Sequence, residues 1–492
     1  MTKISKTKNR ISRENIFIFL FLFILAWLFL LQSPLSIIGD GETGIDSSVF
    51  KTVALYMQSG FMPYKDVFDH KGPLIYIINY IGNIINYFNG VWYIELLFLT
   101  VTFTSIYKIA HIFTSSFNSI LTVLLSSTPL FLFLEGGNFT EEYAMTFISV
   151  SLFIFIDYFQ NNVINKKRLI ICGICFASVL MLRPNMIALW IAFCLGVLFH
   201  CIKEKEYVKL GKFLLWFLFG MAIIIIPIVI WLLINNSFIQ FWECYINFNL
   251  TYSSSMSEMN IIKKILQVFF AFARPPMIAL AIGIIFYIVF KRKFIDVVYG
   301  FYFLIEILMV SMSGMRYGHY GMVFVPMISY PLAIGLEKLY EKINKKGVSI
   351  VTISLIIITL LLPNLTSLAK SIITPNRPKD DFGLSNINTT QNISTLILKE
   401  AKIDDTLSVY GSYTRLHVQT KLISPSKYIY QYPIGVVEPK ILENYFKELD
   451  DNPPNWFVVS YGNNDEKVNE FINKHSYIEV ENIDDNIVYK LR

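Results

Sequence analysis

Long apolar runs recur through the first three quarters of the chain, separated by short polar segments. Runs of about 20 residues match the hydrocarbon thickness of a bilayer, where a helix satisfies its own backbone hydrogen bonds. Eleven runs are interpreted as spans, at residues 16–31, 92–110, 120–134, 143–159, 169–182, 187–201, 213–234, 276–290, 294–310, 322–336 and 348–362. The pattern predicts an α-helical polytopic membrane protein with about 11 transmembrane helices.

One further apolar run, residues 74–87, is too short at about 14 residues for a comfortable crossing. If it crossed, the cluster Lys166–Lys167–Arg168 and every later basic cluster would face outward, against the tendency of Lys and Arg to stay in the cytoplasm. We therefore expect this run to be a juxtamembrane helix in the interface. The N-terminus is then cytoplasmic, and the first external loop, residues 36–90, lies outside the plasma membrane.

The composition changes after residue 362, and residues 379–492 are polar. They contain the strand-like runs TLSVY, KYIYQ, WFVVS, YIEV and IVYK and the amphipathic helical runs PKILENYFKEL and DEKVNEFINK. We expect a small extracytoplasmic α/β domain with an accessory role at 379–492. A linker at 366–378 joins it to the transmembrane domain at 1–365. Arg415 and His417 are interpreted as ordinary surface residues.

Composition supports the membrane assignment, because 54% of the 492 residues are hydrophobic and only 16% are charged, against about 25% charged in soluble domains. The formal net charge of +6 comes from basic clusters between apolar runs, so it indicates topology rather than nucleic acid binding. All five cysteines lie in or beside apolar runs. Cys172 and Cys175 form a CxxC inside such a run with no histidine nearby, which favours packing over metal or redox chemistry.

Unusual polar residues collect at the predicted outer ends of the spans. The first external loop contributes Asp46, Asp66, Asp69, His70 and Lys71. The segments EEYAM, LRPN and GMRYGHYG contribute Glu141, Glu142, Arg183, Arg316, His319 and Tyr320. Charges at membrane depth are costly and normally pair or face an aqueous cavity, so this collection indicates a functional site. A single arginine could instead snorkel to the headgroups, and Asp46 could instead cap a short helix that begins after it.

Carboxylates opposite cations at the outer face suit transfer of a sugar from a lipid-linked phosphate to a hydroxyl. Such transfer needs a carboxylate base and cations that stabilise the departing phosphate. Asp46, at the start of a predicted helix, is the leading candidate for the base, and the segment DVFDHKGP is second. The candidates for phosphate recognition are Arg316, His319 and Tyr320, followed by Arg183 and Lys71. The further candidates for substrate binding are Asp66, Asp69 and His70.

The segments IDSSVF, GFMPYKDVFDHKGPLIY, EEYAM, LRPN and RYGHY resemble the bacterial branch of the GT-C glycosyltransferases. That group includes the protein O-mannosyltransferases of glycosyltransferase family 39 and the lipid A aminoarabinose transferases. The resemblance covers roughly the first 320 residues and implies a GT-C-like catalytic transmembrane domain. It implies Asp46 as the first carboxylate and Glu141 or Glu142 as the second. Asp46-Ser47 stands where the family has an Asp-Glu pair, so a divalent metal cofactor stays open and no metal ligand is assigned.

The implied activity is a hexosyl- or pentosyltransferase with a polyprenyl-phosphate sugar donor and a glycan, lipid or protein acceptor. Cell-envelope polysaccharide or glycoconjugate modification is the expected role, with the lipid bilayer but no nucleic acid as a partner. A polysaccharide polymerase or ligase, or a lipid-linked-sugar transporter, is the alternative. Transporters commonly contain internal repeats, and the sequence has none. A ligase would be expected to have one large external loop between late spans.

Overall fold

The computed structural model describes residues 13–39, 44–161, 165–255, 260–272, 293–312, 317–346, 387–460 and 465–492. The predicted spans 276–290 and 348–362, the linker 366–378 and Arg316 lie outside these residues. The helices up to residue 346 are α1 (Arg13–Leu30), α2 (Ile45–Gln58), α3 (Pro73–Ile85), α4 (Gly90–His111), α5 (Ser116–Ser127), α6 (Leu130–Phe133), α7 (Thr140–Asn161), α8 (Lys166–Leu180), α9 (Ala188–Lys203), α10 (Tyr207–Ile234), α11 (Phe238–Phe241), α12 (Phe248–Ser255), α13 (Ile261–Phe272), α14 (Phe294–Ser311) and α15 (Phe324–Lys346).

Three short helical turns join these helices. They are the 3₁₀ turns Pro184–Met186 and Gly318–Val323 and the π-helical turn Trp242–Asn247. The first follows Arg183, the second contains His319 and Tyr320, and the third leads into α12.

Seven helices of the described part are long and apolar enough to cross a membrane. They are Arg13–Leu30, Gly90–His111, Ser116–Phe133, Thr140–Asn161, Tyr207–Ile234, Phe294–Ser311 and Gly318–Lys338. The multi-pass helical architecture is confirmed, while the total of eleven spans stays a prediction. α3 has 13 residues and is therefore about 20 Å long, shorter than a bilayer core. The interfacial position of residues 74–87 stays a prediction.

Helices α8 and α10 pack closely because glycines line their contact. A Cβ on Gly173 would collide with the backbone carbonyl of Phe217, and a Cβ on Gly220 would collide with that of Ile170. Small residues allow this kind of backbone approach between membrane helices, where van der Waals packing drives association. The pair fixes the end of α8, from which Arg183 follows directly.

The C-terminal part is a small α/β unit. Its elements are α16 (Ile387–Glu400), β1 (Leu407–Tyr410), α17 (Arg415–Thr420), α18 (Ile434–Val437), α19 (Lys440–Asp451), β2 (Trp456–Val459), α20 (Glu466–His475), β3 (Ile478–Ile483) and β4 (Asn486–Lys490). The sheet has the order β1-β2-β4-β3, with β1 and β2 parallel and the other pairs antiparallel. Four of the five strand-like runs and both amphipathic helical runs form as predicted. The extracytoplasmic location of this unit stays a prediction.

The prediction of a fifth strand at KYIYQ, residues 427–431, is wrong. The segment pairs with no strand of the described sheet, and its backbone bonds to two separate parts of the chain instead. The carbonyl of Lys427 accepts from the N–H of Phe68 at 2.8 Å, and the N–H of Gln431 donates to the carbonyl of Gly411 at 2.8 Å. These contacts satisfy backbone groups that would otherwise need a sheet neighbour.

Arg415 and His417 are not surface residues, contrary to expectation. Their exposed fractions are 3% and 0% because α17, which carries them, packs on α2. The ring of His417 meets Tyr56 of α2 edge-on, and its Nδ1 lies 2.9 Å from the carbonyl of Leu422. Burial lowers the pKa of His417 to about 4, so this histidine is neutral near pH 7 and donates from Nδ1.

Candidate active site around the α2–α3 loop

Asp46 lies in the first turn of α2, and Gly44 takes the N-cap position. The alternative in which Asp46 caps this helix is therefore wrong. Its side chain is half-buried and makes no hydrogen bond or ion pair with any described residue. It lies within electrostatic reach of Arg183, Tyr317 and Tyr430. Asp46 therefore lies at the N-terminal end of α2, and no described residue bonds to its carboxylate oxygens.

The α2–α3 loop, residues 59–72, places a second carboxylate in a fully bonded environment. Asp69 is 2% exposed, and its two oxygens accept from the hydroxyls of Tyr76 and Tyr430, each at 2.7 Å. Burial alone would raise the pKa of Asp69, but the charge of Lys71 and the two hydroxyls hold it below its usual value. Asp69 is thus an ionised anchor for the loop, with a tyrosine hydroxyl bonded to each of its oxygens.

His70 and Lys71 form a contacting pair next to Asp69. The Nζ of Lys71 lies 3.0 Å from Nε2 of His70, whose ring stacks on Tyr252 with centroids 5.6 Å apart. Burial, reinforced by the charge of Lys71, lowers the pKa of His70 to about 3, so its Nε2 is an acceptor near pH 7. Among the described residues, Lys71 makes no salt bridge, and Asp69 is the carboxylate on which its charge acts.

Backbone hydrogen bonds tie the α2–α3 loop to the segment that carries Arg183. The N–H of Gly72 donates to the carbonyl of Leu182, and the N–H of Leu74 donates to that of Met181, both at 3.1 Å. This junction brings the side chain of Arg183 within electrostatic reach of His70. Two segments more than 100 residues apart in sequence therefore share one site.

The guanidinium of Arg183 has one partner at each of its two terminal nitrogens. One nitrogen forms an ion pair with Glu141, and the other donates to the hydroxyl of Tyr320 at 2.8 Å. The guanidinium carbon also lies 4.3 Å from the centre of the Tyr320 ring. Glu141 is 3% exposed and accepts a second bond from the hydroxyl of Thr140 at 2.7 Å. The planar fork of arginine makes this arrangement possible, and a lysine could not reproduce it.

His319 lies beside Tyr320 and is held from two directions. Its ring stacks on Phe139 with centroids 4.2 Å apart. Its Nδ1 lies 2.8 Å from the carboxylate of Glu135, which also accepts from the N–H groups of Gly318 and His319, each at 3.2 Å. The ring of His319 therefore has a fixed position in the site, and its orientation depends on Glu135.

Glu141 and Glu142 have different environments although they are adjacent. Successive helical residues point about 100° apart, so Glu141 faces Arg183 while Glu142 faces the interior. An oxygen of Glu142 accepts from the N–H of Asn138 at 2.9 Å, and Glu95 of α4 accepts from the same N–H. The side chain of Asn138 in turn donates to Ser47 of α2 at 2.8 Å. Glu142 therefore fixes the turn before α7 and its contact with α2.

That turn should be intolerant of a side chain at Gly137. The backbone φ of Gly137 is +85°, and an added Cβ would lie 2.5 Å from an oxygen of Glu95. We expect Gly137→Ala to cost about 1–3 kcal/mol of stability and to lower the apparent melting temperature in detergent. Gly211→Ala in α10 is the matched control, because a Cβ there meets nothing within 4 Å. Equal melting temperatures for the two variants would contradict this account of the turn.

The structure brings most of the predicted site residues into one connected group. The connected residues are Asp46, Asp69, His70, Lys71, Glu141, Arg183, His319 and Tyr320. Asp66 is instead turned into its own loop, where it accepts from the N–H of Met62 at 2.8 Å. Within the described ranges, no three His, Cys, Asp or Glu side chains group as metal ligands would. Asp40 and Glu42 lie outside those ranges.

Sequence reasoning missed three residues of this site. Glu135 lies six positions before the EEYAM segment, and its link to His319 spans more than 180 residues. Tyr76 ends the motif GPLIY and lies within the apolar run at residues 74–87. Tyr430 lies in KYIYQ, where alternating residues favoured a strand. A tyrosine inside an otherwise apolar motif next to a charged loop is the only signal that could have found Tyr76.

The arrangement of the helices and the C-terminal unit is the GT-C fold, as the sequence resemblance implied. ArnT from Cupriavidus metallidurans bound to undecaprenyl phosphate is similar with a TM-score of 0.64 and 11% identity, over 97% of this chain and 98% of that chain. Its apo state gives a TM-score of 0.57 and 10% identity, over 96% and 97%. The apo oligosaccharyltransferase from Archaeoglobus fulgidus gives 0.50 and 11%, over 89% and 69%. The fold class expected from the sequence is therefore confirmed.

Within that class, residues 4–361 match the family described as "Putative competence-induced protein Ccs4 N-terminal domain", and the chain belongs to this family. The match spans the transmembrane part and ends before the α/β unit. A comparison with curated proteins gives no significant match.

Proposed function

We propose that the protein is a membrane glycosyltransferase that moves a hexose or pentose from a polyprenyl-phosphate donor to an acceptor hydroxyl. The observation that carries the proposal is the carboxylate of Asp46, to which no described residue bonds and which lies within electrostatic reach of Arg183, with the ammonium of Lys71 in the adjoining loop. The ArnT structure of the same fold holds undecaprenyl phosphate, which supports a lipid phosphate as the leaving group. We place the reaction at the outer face of the plasma membrane, in modification of a cell-envelope glycan, lipid or protein.

In the proposed reaction the acceptor oxygen bonds to the anomeric carbon of the sugar while the bond from that carbon to the phosphate oxygen breaks. The proton of the acceptor hydroxyl goes to Asp46, and the electron pair of the broken bond leaves with the lipid phosphate. A positioned base of this kind contributes about 10²–10⁴-fold to the rate. Fixed cations at the leaving phosphate stabilise the charge that develops there.

Lys71 and Arg183 have different parts in holding that phosphate. Arg183 is already engaged by Glu141 and Tyr320, so its charge is partly compensated and its orientation fixed. Lys71 contacts the neutral His70 and no carboxylate within the described residues. We therefore assign the direct charge contact with phosphate to Lys71 and a supporting, orienting contact to Arg183.

Replacing Lys71 with methionine should weaken the binding of undecaprenyl phosphate by about 10- to 100-fold, because a hydrogen bond to a charged group is worth about 1.5–3 kcal/mol. Binding to the purified protein in detergent measures this directly. Lys65→Met is the control, since Lys65 is exposed in the same loop and should not contribute. Equal affinities of the Lys71 and Lys65 variants would remove Lys71 from the phosphate site.

The activity itself is tested by incubating the purified protein in detergent with a panel of polyprenyl-phosphate sugars and candidate acceptors. We expect sugar transfer with release of the lipid phosphate and without any solute gradient. A transporter would show movement of the lipid-linked sugar across a vesicle membrane but no new glycosidic bond. Binding of lipid phosphate without transfer to any glycan, lipid or peptide acceptor in the panel would count against a transferase.

A further inference from the structure

A segment of the C-terminal unit closes over the α2–α3 loop. We call residues 424–432 the strap. At its start the N–H of Ser424 donates to the hydroxyl of Tyr56 in α2 at 2.6 Å. In its middle the carbonyl of Lys427 accepts from the N–H of Phe68 at 2.8 Å, and the ring of Tyr428 lies 5.5 Å from that of Phe68. The strap therefore follows the loop over several residues and contacts both its backbone and its rings.

Tyr430 is the strap residue that enters the site. Its exposed fraction is 6%. Its hydroxyl lies 2.7 Å from Asp69 and 3.3 Å from Nδ1 of His70, and it is within electrostatic reach of Asp46. A residue some 360 positions away in the chain thus shares a hydrogen-bonded cluster with the residues assigned to phosphate binding.

The groups around Nδ1 of His70 determine which nitrogen of its ring carries the proton. The phenol of Tyr430 has one proton to donate, and the shorter contact gives it to the carboxylate of Asp69. The oxygen of Tyr430 at 3.3 Å and the carboxylate of Asp69 at 3.4 Å then both face Nδ1 of His70 as acceptors, so Nδ1 carries the hydrogen of the neutral imidazole. Nε2 is left with its lone pair, which accepts from the ammonium of Lys71 at 3.0 Å. Tyr430 therefore acts on Lys71 through His70.

We infer that Tyr430 is a positioning residue for phosphate binding: through His70 it holds the Lys71 ammonium in the direction from which a lipid-linked phosphate is bound. The inference rests on the proposed function, because it assigns the phosphate to Lys71. It gives the C-terminal unit a part in the site itself, beyond bracing the membrane domain. If the strap only held the C-terminal unit against the membrane domain, its backbone contacts would suffice and the hydroxyl of Tyr430 would not be needed.

A double-mutant cycle separates the two roles. Undecaprenyl phosphate is the probe, and its dissociation constant is measured for the full-length protein in detergent with Tyr430→Phe, Lys71→Met and both changes. We expect Tyr430→Phe alone to weaken binding by about tenfold, a coupling typical of residues in one network. In the Lys71→Met background, Tyr430→Phe should have no further effect, because the group on which it acts is gone.

Two further variants keep the test decisive. Tyr428→Phe removes a neighbouring hydroxyl whose only described partner is a marginal contact with Asn444 at 3.5 Å, and it should bind the probe as the parent does. His70→Phe keeps a ring against Tyr252 but removes both nitrogens, so it should reproduce the Tyr430→Phe loss even if Tyr430→Phe unfolds the strap.

The outcomes distinguish this inference from the proposed function. Losses that add in the double variant, or a Tyr430→Phe protein that binds as the parent does, would overturn the positioning role while leaving the lipid phosphate site standing. A parent protein that binds no undecaprenyl phosphate at all would overturn the proposed function, and the inference with it.

Discussion

Asp46→Asn is expected to lower turnover by about 10²–10⁴-fold, the contribution of a positioned general base. The amide has the same shape as the carboxylate but cannot take the acceptor proton. Asp46 has no hydrogen bond to a described residue that the change would break, and Gly44 rather than Asp46 is the N-cap. The melting temperature and the affinity for undecaprenyl phosphate should therefore stay close to those of the parent, so that the loss falls on kcat.

Asp66→Asn is the matched control for this change. Asp66 lies in the α2–α3 loop, and its carboxylate accepts from the N–H of Met62, a bond that an amide oxygen also makes. Its turnover should remain near that of the parent. Full activity of Asp46→Asn together with a large loss of kcat in Asp69→Asn would move the base to Asp69. The structure argues against that outcome because two tyrosine hydroxyls occupy both oxygens of Asp69.

The helical part of the fold could be predicted because its determinants are local. Apolar runs of bilayer length mark the long helices, and the short run at 74–87 became α3, with 13 residues. In the C-terminal unit, period-two and helical spacing located four strands and two helices for the same reason. The class of fold followed from motifs at the ends of these helices.

The contacts inside the site were harder to predict because they join distant parts of the chain. Glu141 and Glu142 are equivalent in sequence, and only the direction of α7 separates the partner of Arg183 from the residue that fixes the turn. KYIYQ has the alternation of a strand, but the α2–α3 loop competes for its backbone and for Tyr430. Tertiary contacts override local β propensity in such segments.

The burial of Arg415 and His417 could not be predicted for a related reason. The polar composition of the C-terminal unit indicates surface positions for both residues, and only its contact with the helical part buries them. In the structure, β1 leads directly into the segment that docks on α2, where Thr414 lies 2.9 Å from the hydroxyl of Ser48. A sequence pattern identifies an amphipathic helix, but it does not show whether another part of the chain packs on the polar face of that helix and buries it.

Arg183→Lys is expected to lower kcat/KM by about 10- to 100-fold. Lysine keeps the positive charge, but a single ammonium cannot pair with Glu141, donate to Tyr320 and stack on the Tyr320 ring together. Loss of a charge-assisted hydrogen bond is worth about 1.5–3 kcal/mol, and the partner left behind, Glu141, is 3% exposed. The measurement is the transfer rate at low donor concentration, with the affinity for undecaprenyl phosphate measured separately.

Arg168→Lys is the control, because Arg168 pairs with Asp157 near the other end of α7. The separation of 16 positions between Glu141 and Asp157 places this pair about 24 Å from the site. Partly exposed ion pairs contribute about 0–1 kcal/mol, so this variant should keep nearly full kcat/KM. Equal losses in the two variants would show a general effect on α7. Unchanged kinetics in Arg183→Lys would make Arg183 a structural anchor and leave Lys71 as the cation of the described site that binds the leaving phosphate.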